Sequence, residues 1–152
     1  METKLINFID LSKNDLLEIL EWRNNKFVRL KMNNNHIISS EEHFKFIEKL
    51  HNNTKSMYFL VLHNKEKIGV IDLNDIENGH ACLGLYKNPA SKIKKSGIIL
   101  MEAIFNLAFS KSINKLSLQV LRNNTRAINL YKDTGFKIID KNKDSFFMEK
   151  FL

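Results

Sequence analysis

The chain has 152 residues, a formal net charge of +7 and one cysteine, which fits a single domain over residues 1–152 and excludes an internal disulfide. Its 43% hydrophobic and 27% charged residues indicate a globular protein and argue against a disordered chain. No apolar run reaches the roughly 18 residues of a membrane span, and the N-terminus lacks the pattern of a signal peptide. We therefore expect a cytoplasmic protein with no membrane partner.

The positive charge leaves the class of partner open. It permits nucleic acid, and it equally permits an anionic small molecule such as a nucleotide or coenzyme A. The 24 lysine and arginine residues are scattered among 17 acidic residues and are not gathered on one helix. This distribution favours an ordinary solvated surface, so we expect no nucleic-acid partner.

The first part of the chain predicts a strand followed by two helices. The strand covers 4–9, and each helix begins with the residue spacing of a capping box. Ser12 precedes Asp15 by three residues, and Ser39 precedes Glu42 by three. Both helices carry apolar residues at helical spacing, which predicts that one side of each packs on a sheet.

Three strands are predicted next, because β-branched and aromatic residues alternate between turn signals. Asn78-Gly79 favours a hairpin turn between the second and the third of them. Gly84 lies inside the third strand, and an interior glycine indicates a bulge or a close backbone approach. The three strands are 57–62, 67–73 and 81–86.

The last part of the chain alternates helices and strands. Residues 97–109 predict a helix that is apolar on most sides and is therefore buried against a sheet, and 115–121 predicts a half-buried strand. A short helix follows and stops at Gly135, and a hairpin of 136–139 and 146–151 ends the chain. The order β-α-α-β-β-β-α-β-α-β-β predicts a three-layer mixed α/β domain.

One face of the short helix carries an unusual set of side chains. Asn124, Ala127 and Tyr131 fall at i, i+3 and i+7, which places them in one stripe. Such a stripe offers an extended ligand an amide partner, room for close approach and a phenolic proton. The alternative is a surface helix whose alanine and tyrosine pack inward.

The stripe and the two residues that follow its helix, Gly135 and Phe136, resemble the C-terminal motif of the GNAT superfamily of N-acetyltransferases. The resemblance implies acetyl-CoA as co-substrate and no metal. It implies that Asn124 and Ala127 line the pantetheine arm and that Tyr131 is the catalytic general acid for the departing thiolate. It also implies a fold of the α/β (α+β) class, with a mixed, mostly antiparallel sheet of about seven strands and about four helices.

In this family the fourth and fifth strands splay apart in a V-shaped opening. The resemblance therefore implies that main-chain groups of Leu85 and Tyr86, near the end of the fourth strand, pair with the pantetheine amides.

The loop before the long helix is rich in lysine. A helix N-terminus presents free N–H groups and a partial positive charge, which together suit an anion. In the resembling family this loop binds pyrophosphate through Gln/Arg-x-x-Gly-x-Gly/Ala, with Lys92 here at the first position and Gly97 at the last. Lys95 replaces the middle glycine, which normally lets the backbone approach the phosphates. The cofactor-binding residues implied here are Lys92, Lys94, Lys95, Ser96, Gly97 and Ile98.

The acceptor is expected to bind the N-terminal third of the chain. Trp22 and Arg23 lie side by side near a helix C-terminus, and an indole can stack on a planar base while a guanidinium pairs with phosphate. The alternative is that Trp22 is a core residue and Arg23 a surface one.

Glu-Trp-Arg-Asn at 21–24 and Ser-x-Glu-Glu-His-Phe-x-Phe-Ile at 39–47 resemble one branch of the family. Its bacterial members acetylate a UDP-linked 4-amino sugar on the way to pseudaminic acid, which glycosylates flagellin. The resemblance implies a nucleotide-sugar substrate. The substrate-binding residues implied are Trp22, Arg23, Met32, His36, His43, Phe44 and Asp72.

The base that takes the proton of the amine is not identified by any spacing. Asp72, Glu77, His36 and His80 are all suitable by residue type. Cys82 is expected to be a small buried core thiol.

The function expected from the sequence is direct transfer of acetyl from acetyl-CoA to the 4-amino group of a sugar of the UDP-4-amino-4,6-dideoxy-N-acetyl-altrosamine type, through a ternary complex. One alternative is a GNAT enzyme that acetylates a protein N-terminal amine, as ribosomal-protein acetyltransferases do. Another is a basic nucleic-acid-binding domain without catalysis. The sequence leaves open whether the protein forms a homodimer.

Overall fold

The computed structural model describes residues 2–152 and contains the seven predicted strands in one sheet. The strands are β1 (Thr3–Asn7), β2 (Met57–His63), β3 (Glu66–Glu77), β4 (His80–Lys87), β5 (Lys115–Leu121), β6 (Lys137–Lys141) and β7 (Ser145–Phe151). Their order in the sheet is β1-β2-β3-β4-β5-β7-β6. All neighbouring pairs are antiparallel except β4 and β5, which are parallel. The prediction of a mixed, mostly antiparallel sheet is confirmed.

Residues 2–152 contain five α-helices and one short 3-10 helix beside the sheet, one α-helix more than the sequence predicted. They are the 3-10 helix Phe8–Asp10, α1 (Lys13–Asn24), α2 (Lys26–Arg29), α3 (Ser40–Leu50), α4 (Ser96–Ser110) and α5 (Thr125–Asp133). The additional helix α2 is a single turn, too short to show a helical period in the sequence. Asn25 caps it by accepting a hydrogen bond from the Phe27 N–H at 2.9 Å. Between residues 2 and 152, no helix combines the length and the apolar character needed to cross a membrane.

Helices cover the sheet from both sides and form two separate cores. The α4 core contains Ile71 and Leu73 of β3 together with Leu100 and Ile104 of α4. The α1 core contains Val70 of β3, because successive strand residues point to opposite faces. Other members of the α1 core are Phe8, Ile19, Trp22 and Ile47. The predicted burial of α4 against the sheet is confirmed.

The two predicted helix starts are helix caps, but only one is a full capping box. Ser39 and Glu42 hydrogen-bond each other's main-chain N–H at the start of α3. Ser12 caps α1 through the Asp15 N–H at 3.2 Å, while the Asp15 carboxylate bonds Lys67 Nζ of β3 at 2.8 Å. The capping-box prediction is therefore confirmed for Ser39 and Glu42 but wrong for the Asp15 side chain, because Lys67 gives that carboxylate a charged partner on the sheet.

Gly135 ends α5, as predicted, and lies one residue beyond the cap residue Thr134. Its φ of 103° is a conformation that side chains rarely adopt. The Phe136 N–H reaches back to the Tyr131 carbonyl at 2.9 Å and the Gly135 N–H to that of Lys132 at 3.1 Å. This is a Schellman motif, and it brings the Phe136 ring edge-on to the Tyr131 ring, with centroids 5.9 Å apart.

Gly84 serves a close approach and not a bulge. It pairs with Asp72 of β3, and a Cβ at position 84 would lie 2.6 Å from Asp72 Oδ2. The irregularity in the β3–β4 pairing lies elsewhere, between Asn74 and Glu77.

The strands β4 and β5 are paired only at one end. Their register joins His80 with Lys115, Ala81 with Leu116 and Cys82 with Ser117. β4 then continues to Lys87 and β5 to Leu121 without further pairing. This opening agrees with the predicted splay of the fourth and fifth strands.

Helix α4 begins in an unusual way. Its N-cap residue is Lys95, with φ 59° and ψ 28° and no side-chain cap. The left-handed conformation costs a residue with a Cβ roughly 1–2 kcal/mol and costs glycine much less.

We expect Lys95→Gly to raise the free energy of unfolding by roughly 1 kcal/mol, because it relieves this backbone strain. The melting temperature should rise by about 2–4 °C, measured by calorimetry. Lys94→Gly is the matched control, since it removes the same charge at a neighbouring exposed residue outside the left-handed region. It should lower the melting temperature, and equal effects of the two substitutions would contradict the strain argument.

Candidate active site

The opening between β4 and β5 is the centre of the candidate site. After Cys82 the residues of β4 have no partner on β5. The main-chain N–H and C=O groups on that edge of β4 therefore make no hydrogen bonds to β5 and are available to an extended ligand. Leu85 and Tyr86 lie in this unpaired part of β4, where the sequence predicted cofactor contacts. Their role in binding stays a prediction.

The start of α4 lies beside the start of α5 and the end of β4. A Cβ at Gly97 would lie 3.1 Å from Leu130 of α5 and 3.6 Å from Lys87 Nζ. The N–H groups of Ser96 and Gly97 donate no hydrogen bond to any other of residues 2–152. Two free donors therefore remain at a helix N-terminus, where an anion is favoured.

The residues of the lysine-rich loop differ in their exposure to solvent. Lys92, Lys94 and Lys95 are exposed, Ser96 and Gly97 are buried, and Ile98 is exposed. Lys95 takes the left-handed conformation that the glycine of the family pattern would adopt easily. Lys95 therefore keeps the backbone turn of the family pattern, but its left-handed conformation is strained.

Two cations near this helix start were missed in the sequence. Lys87, the half-buried last residue of β4, has its pKa lowered by burial and by the neighbouring charge of Arg126 on α5. Neither side chain forms an ion pair within residues 2–152. Two uncompensated cations beside free N–H groups make a locally positive site. No residue spacing in the sequence indicates this positive site, because Lys87 and Arg126 lie on different secondary-structure elements.

Asn124 is the N-cap of α5 and not a residue of its first turn. Its Oδ1 accepts the Ala127 N–H at 3.4 Å, which leaves Nδ2 for another partner. The predicted three-residue stripe is thus a cap followed by Ala127 and Tyr131, which share a face at i, i+4. Ala127 packs against the α4 core.

Tyr131 is buried, with 7% of its surface exposed, and belongs to the α4 core. Burial raises the pKa of its phenol, and the charge of Asp72 raises it further. The phenol is therefore protonated at neutral pH, which a general acid requires.

Asp72 lies on the opposite face of the sheet from the α4 core, because it alternates with Ile71 and Leu73. Burial raises its pKa to about 7, although a hydrogen bond from Asn74 acts in the other direction. The Asn74 Nδ2 donates to Asp72 Oδ1 at 2.7 Å. A carboxyl group that titrates near neutrality is typical of functional sites.

Two further phenols surround Asp72. Burial, and then the charge of Asp72, raises the pKa of Tyr58 on β2 to about 12. The same two causes raise the pKa of Tyr86 on β4. Both groups therefore stay protonated and uncharged beside the carboxyl group.

Arg23 lies near these tyrosines. Burial lowers its pKa, while Tyr86 and Tyr58 act in the opposite direction. Its Nη2 donates to the Asn34 carbonyl at 2.6 Å, but the buried Nη1 has no hydrogen-bond partner within residues 2–152. Nη1 is therefore a buried donor for which the described residues supply no acceptor.

Trp22 and His43 are packed inside the protein. Trp22 is 5% exposed in the α1 core, so its ring offers no open face, and the expectation that it stacks on a base is not supported. His43 is 6% exposed, and its Nε2 donates to the Leu16 carbonyl at 2.8 Å. This bond ties α3 to α1, and burial lowers the pKa of the imidazole.

The other predicted acceptor residues lie nearer the surface. Phe44 is half-buried against the α1 core. Met32 is half-buried and His36 is exposed in the loop between α2 and α3. His36 contacts Asn34 and lies 3.4 Å from Glu42. The structure leaves their binding roles as predictions.

The aromatic surface in this region belongs to Phe27, which sequence reasoning missed. It is 81% exposed on α2. Together with Lys26, Leu30, Lys31 and Asn123 it lines a cavity of about 230 Å³. Asn123 directly precedes the α5 cap, so the cavity adjoins the start of that helix. The sequence does not indicate that Phe27 is exposed, because a helix of one turn is too short to show which side of it is apolar.

The remaining candidates for a base are occupied elsewhere. His80 Nε2 lies 2.7 Å from Ser117 Oγ, where β4 and β5 are still paired. Glu77 is exposed and lies 3.8 Å from Lys55. Cys82 is half-buried and belongs to neither core, so the expectation of a core thiol is wrong. Within residues 2–152, no three His, Cys, Asp or Glu side chains are grouped to hold a metal.

Comparisons with known proteins agree with this geometry. The family model of the GNAT acetyltransferase domain matches residues 10–150. Acetyltransferase PseH of Campylobacter jejuni (strain 81-176) is 36% identical over 148 residues, which cover 94% of this chain and 90% of that protein.

Solved structures give the same result. The crystal structure of Campylobacter jejuni N-acetyltransferase PseH with acetyl coenzyme A has a TM-score of 0.83 and 34% identity, and covers 99% of each chain. Spermidine N-acetyltransferase of Vibrio cholerae, with CoA and spermine, has a TM-score of 0.85 at 20% identity, over 98% of this chain and 95% of that one, and shares the fold. The sheet with its opening, the buried tyrosine and the family match lead to one conclusion: this chain belongs to the GNAT family of acetyltransferases.

Proposed function

We propose that residues 1–152 act as one N-acetyltransferase domain that moves acetyl from acetyl-CoA to the 4-amino group of a UDP-linked amino-deoxy sugar, as in pseudaminic acid synthesis. The observation that carries the proposal is a pair of groups from the two faces of the sheet. Tyr131 belongs to the α4 core, Asp72 lies on the other face beside the opening, and the charge of Asp72 acts on the pKa of Tyr131. The extensive identity to PseH supports the choice of acceptor.

The chemistry needs two proton movements. The donor supplies acetyl as a thioester, and the C–N bond to the amine forms as the C–S bond breaks. The departing thiolate needs a proton, and Tyr131 holds one because burial raises its pKa. The amine must lose a proton on the acceptor side.

The donor would lie in the opening with its pyrophosphate at the start of α4. The free N–H groups of Ser96 and Gly97 and the positive charges of Lys87 and Arg126 suit a diphosphate. The Nδ2 of Asn124, left free by the cap, suits an amide carbonyl of the pantetheine arm.

The acceptor would bind on the side of α1 and α2. Arg23 would contribute its positive charge here, and its buried Nη1, which lacks a partner within residues 2–152, would need a small movement of the side chain to reach a phosphate or sugar oxygen. The cavity beside Phe27, with Lys26 and Lys31 on its wall, suits a nucleoside base stacked on the ring and a diphosphate near the ammonium groups. An exposed ring between two lysines favours an anionic acceptor over a polyamine.

The direct test measures CoA release by purified protein with acetyl-CoA and a panel of amines. The panel contains the UDP-4-amino sugar, a peptide with a free N-terminus, and spermidine. We expect the highest kcat/KM with the UDP-amino sugar. Turnover of the peptide or of spermidine without turnover of the sugar would overturn the proposed acceptor.

We expect Tyr131→Phe to lower kcat by roughly 100-fold, the lower end of the range for losing a general acid. The variant keeps the ring that packs on Phe136, so the melting temperature should be unchanged. Affinity for acetyl-CoA, measured by calorimetry, should change little. An undiminished kcat would remove Tyr131 from the role of acid.

We expect Phe27→Ala to raise KM for the UDP-amino sugar roughly tenfold, because base stacking contributes about 1–3 kcal/mol. Turnover at saturating sugar should be unchanged. Phe109→Ala is the matched control, since Phe109 is 85% exposed at the far end of α4 and Phe27 is 81% exposed. With the amino sugar lacking UDP, both variants should match the wild type. A KM change of the same size in both variants would refute the stacking role.

A further inference from the structure

We propose that Asp72 is the general base that accepts the proton of the attacking amine. The inference rests on the proposed acetyl transfer and goes beyond it, because it assigns the second proton movement to one atom, Asp72 Oδ2. As the nitrogen bonds to the acetyl carbon, its N–H bond breaks and the proton moves to this oxygen, while the electron pair stays on nitrogen.

Position is the first argument. Tyr58, Asp72 and Gly84 form one row across β2, β3 and β4. A Cβ at position 84 would lie 2.6 and 2.8 Å from the two carboxyl oxygens, so the glycine leaves the carboxyl group room over β4. Gly84 belongs to the part of β4 beyond Cys82 that has no partner on β5. The carboxyl group therefore lies over the edge of the opening.

The hydrogen bonds of Asp72 leave one oxygen free. Oδ1 accepts the Asn74 Nδ2 at 2.7 Å. Asn74 is fixed in turn by the Ser56 hydroxyl at 2.7 Å and by a 3.1 Å bond to the Tyr58 hydroxyl. Oδ2 has no hydrogen-bond partner within residues 2–152, and it is not among the buried atoms left without one. Asp72 is half-buried, and its Oδ2 therefore keeps an unused acceptor position that can take a proton.

The charges around Asp72 do not neutralise it. Burial raises the pKa of Tyr58 on β2, of Cys82 and Tyr86 on β4, and of Tyr131 on α5, and the charge of Asp72 raises it further in each. Asp75 on β3 and Arg23 on α1 act on Tyr58 as well. None of these groups forms an ion pair with the Asp72 carboxylate. Burial is the main cause of its raised pKa, and a base that titrates near neutrality transfers protons better than an ordinary carboxylate.

The test compares pH profiles of kcat/KM between pH 5 and 10. The wild type should lose activity below about pH 7, because Asp72 must be ionised. Asp72→Asn should lower the rate at pH 7 by at least roughly 100-fold and regain rate at high pH, where hydroxide can accept the proton that the attacking amine loses. Asn74→Ala removes a bond that favours the charged carboxylate, so its acidic limb should move to higher pH while its plateau is kept.

Asp75→Asn is the control, since Asp75 is a neighbouring exposed carboxyl group on β3, and asparagine tolerates its positive φ. It should keep the wild-type profile. An Asp72→Asn variant with the wild-type rate and limb would overturn the proposal. So would a loss that is equal at every pH together with an unmoved limb in Asn74→Ala, because that result indicates a structural role.

Melting temperatures check that Asp72→Asn folds, and the direction of their change with pH is itself a prediction. A carboxyl group with a raised folded-state pKa gives stability that is present at low pH and is lost as pH rises through about 7. The neutral variant should therefore melt above the wild type at pH 8 and equal it at pH 4. A variant that melts lower than the wild type at both pH values would contradict the burial argument.

The design separates failure of the base from failure of the acceptor. If the wild type acetylates no UDP-amino sugar at any pH, the proposed acceptor is wrong, and the same profiles are measured with the amine of the panel that is acetylated. The Asp72 proposal is then tested by the same two measurements, which are the rate and pH profile of Asp72→Asn and the acidic limb of Asn74→Ala.

Discussion

The parallel strands β4 and β5 are joined by only three residue pairs, and the rest of the site depends on this short contact. Full pairing would close the sheet and leave no unpaired backbone at its centre. Three pairs hold the two halves of the sheet in register, and the divergence beyond Cys82 exposes an edge to a ligand. The His80–Ser117 hydrogen bond at 2.7 Å adds a side-chain contact where the strands are still joined. The opening also brings groups from the two faces of the sheet together.

Small residues decide how closely other groups approach this opening. Gly84 makes room for the Asp72 carboxyl group, and Gly97 lets α4 lie against Leu130 of α5. Lys95 shows the reverse case, in which a residue with a side chain takes a left-handed conformation to keep the same turn. Both cases indicate that the backbone path around the opening is more constrained than the side chains on it.

The Trp22-Arg23-Asn24 segment has structural roles beside the region proposed for the acceptor. Trp22 fills the α1 core, and Asn24 bonds both main-chain groups of Ile38 at 2.8 Å. Arg23 binds the Asn34 carbonyl and keeps one N–H group free. The segment therefore holds the loop between α2 and α3 in place beside the region proposed for the acceptor. Trp22 is already packed in the core, and for this reason the proposed stacking on the acceptor is assigned to the exposed ring of Phe27.

The sequence by itself determined the order of strands and helices along the chain, four of the five α-helices between residues 2 and 152, the glycine stop after α5 and the family, because periodicity and short motifs are local signals. It did not determine which polar groups meet. Lys87 and Arg126, or Asp72 and Gly84, lie on separate elements and come together only through sheet pairing and helix packing. The tertiary structure also decided which side chains are buried, and Trp22 and His43 are core residues for this reason. It also raised the pKa values of Asp72 and Tyr131, since solvent exclusion depends on every neighbour in space.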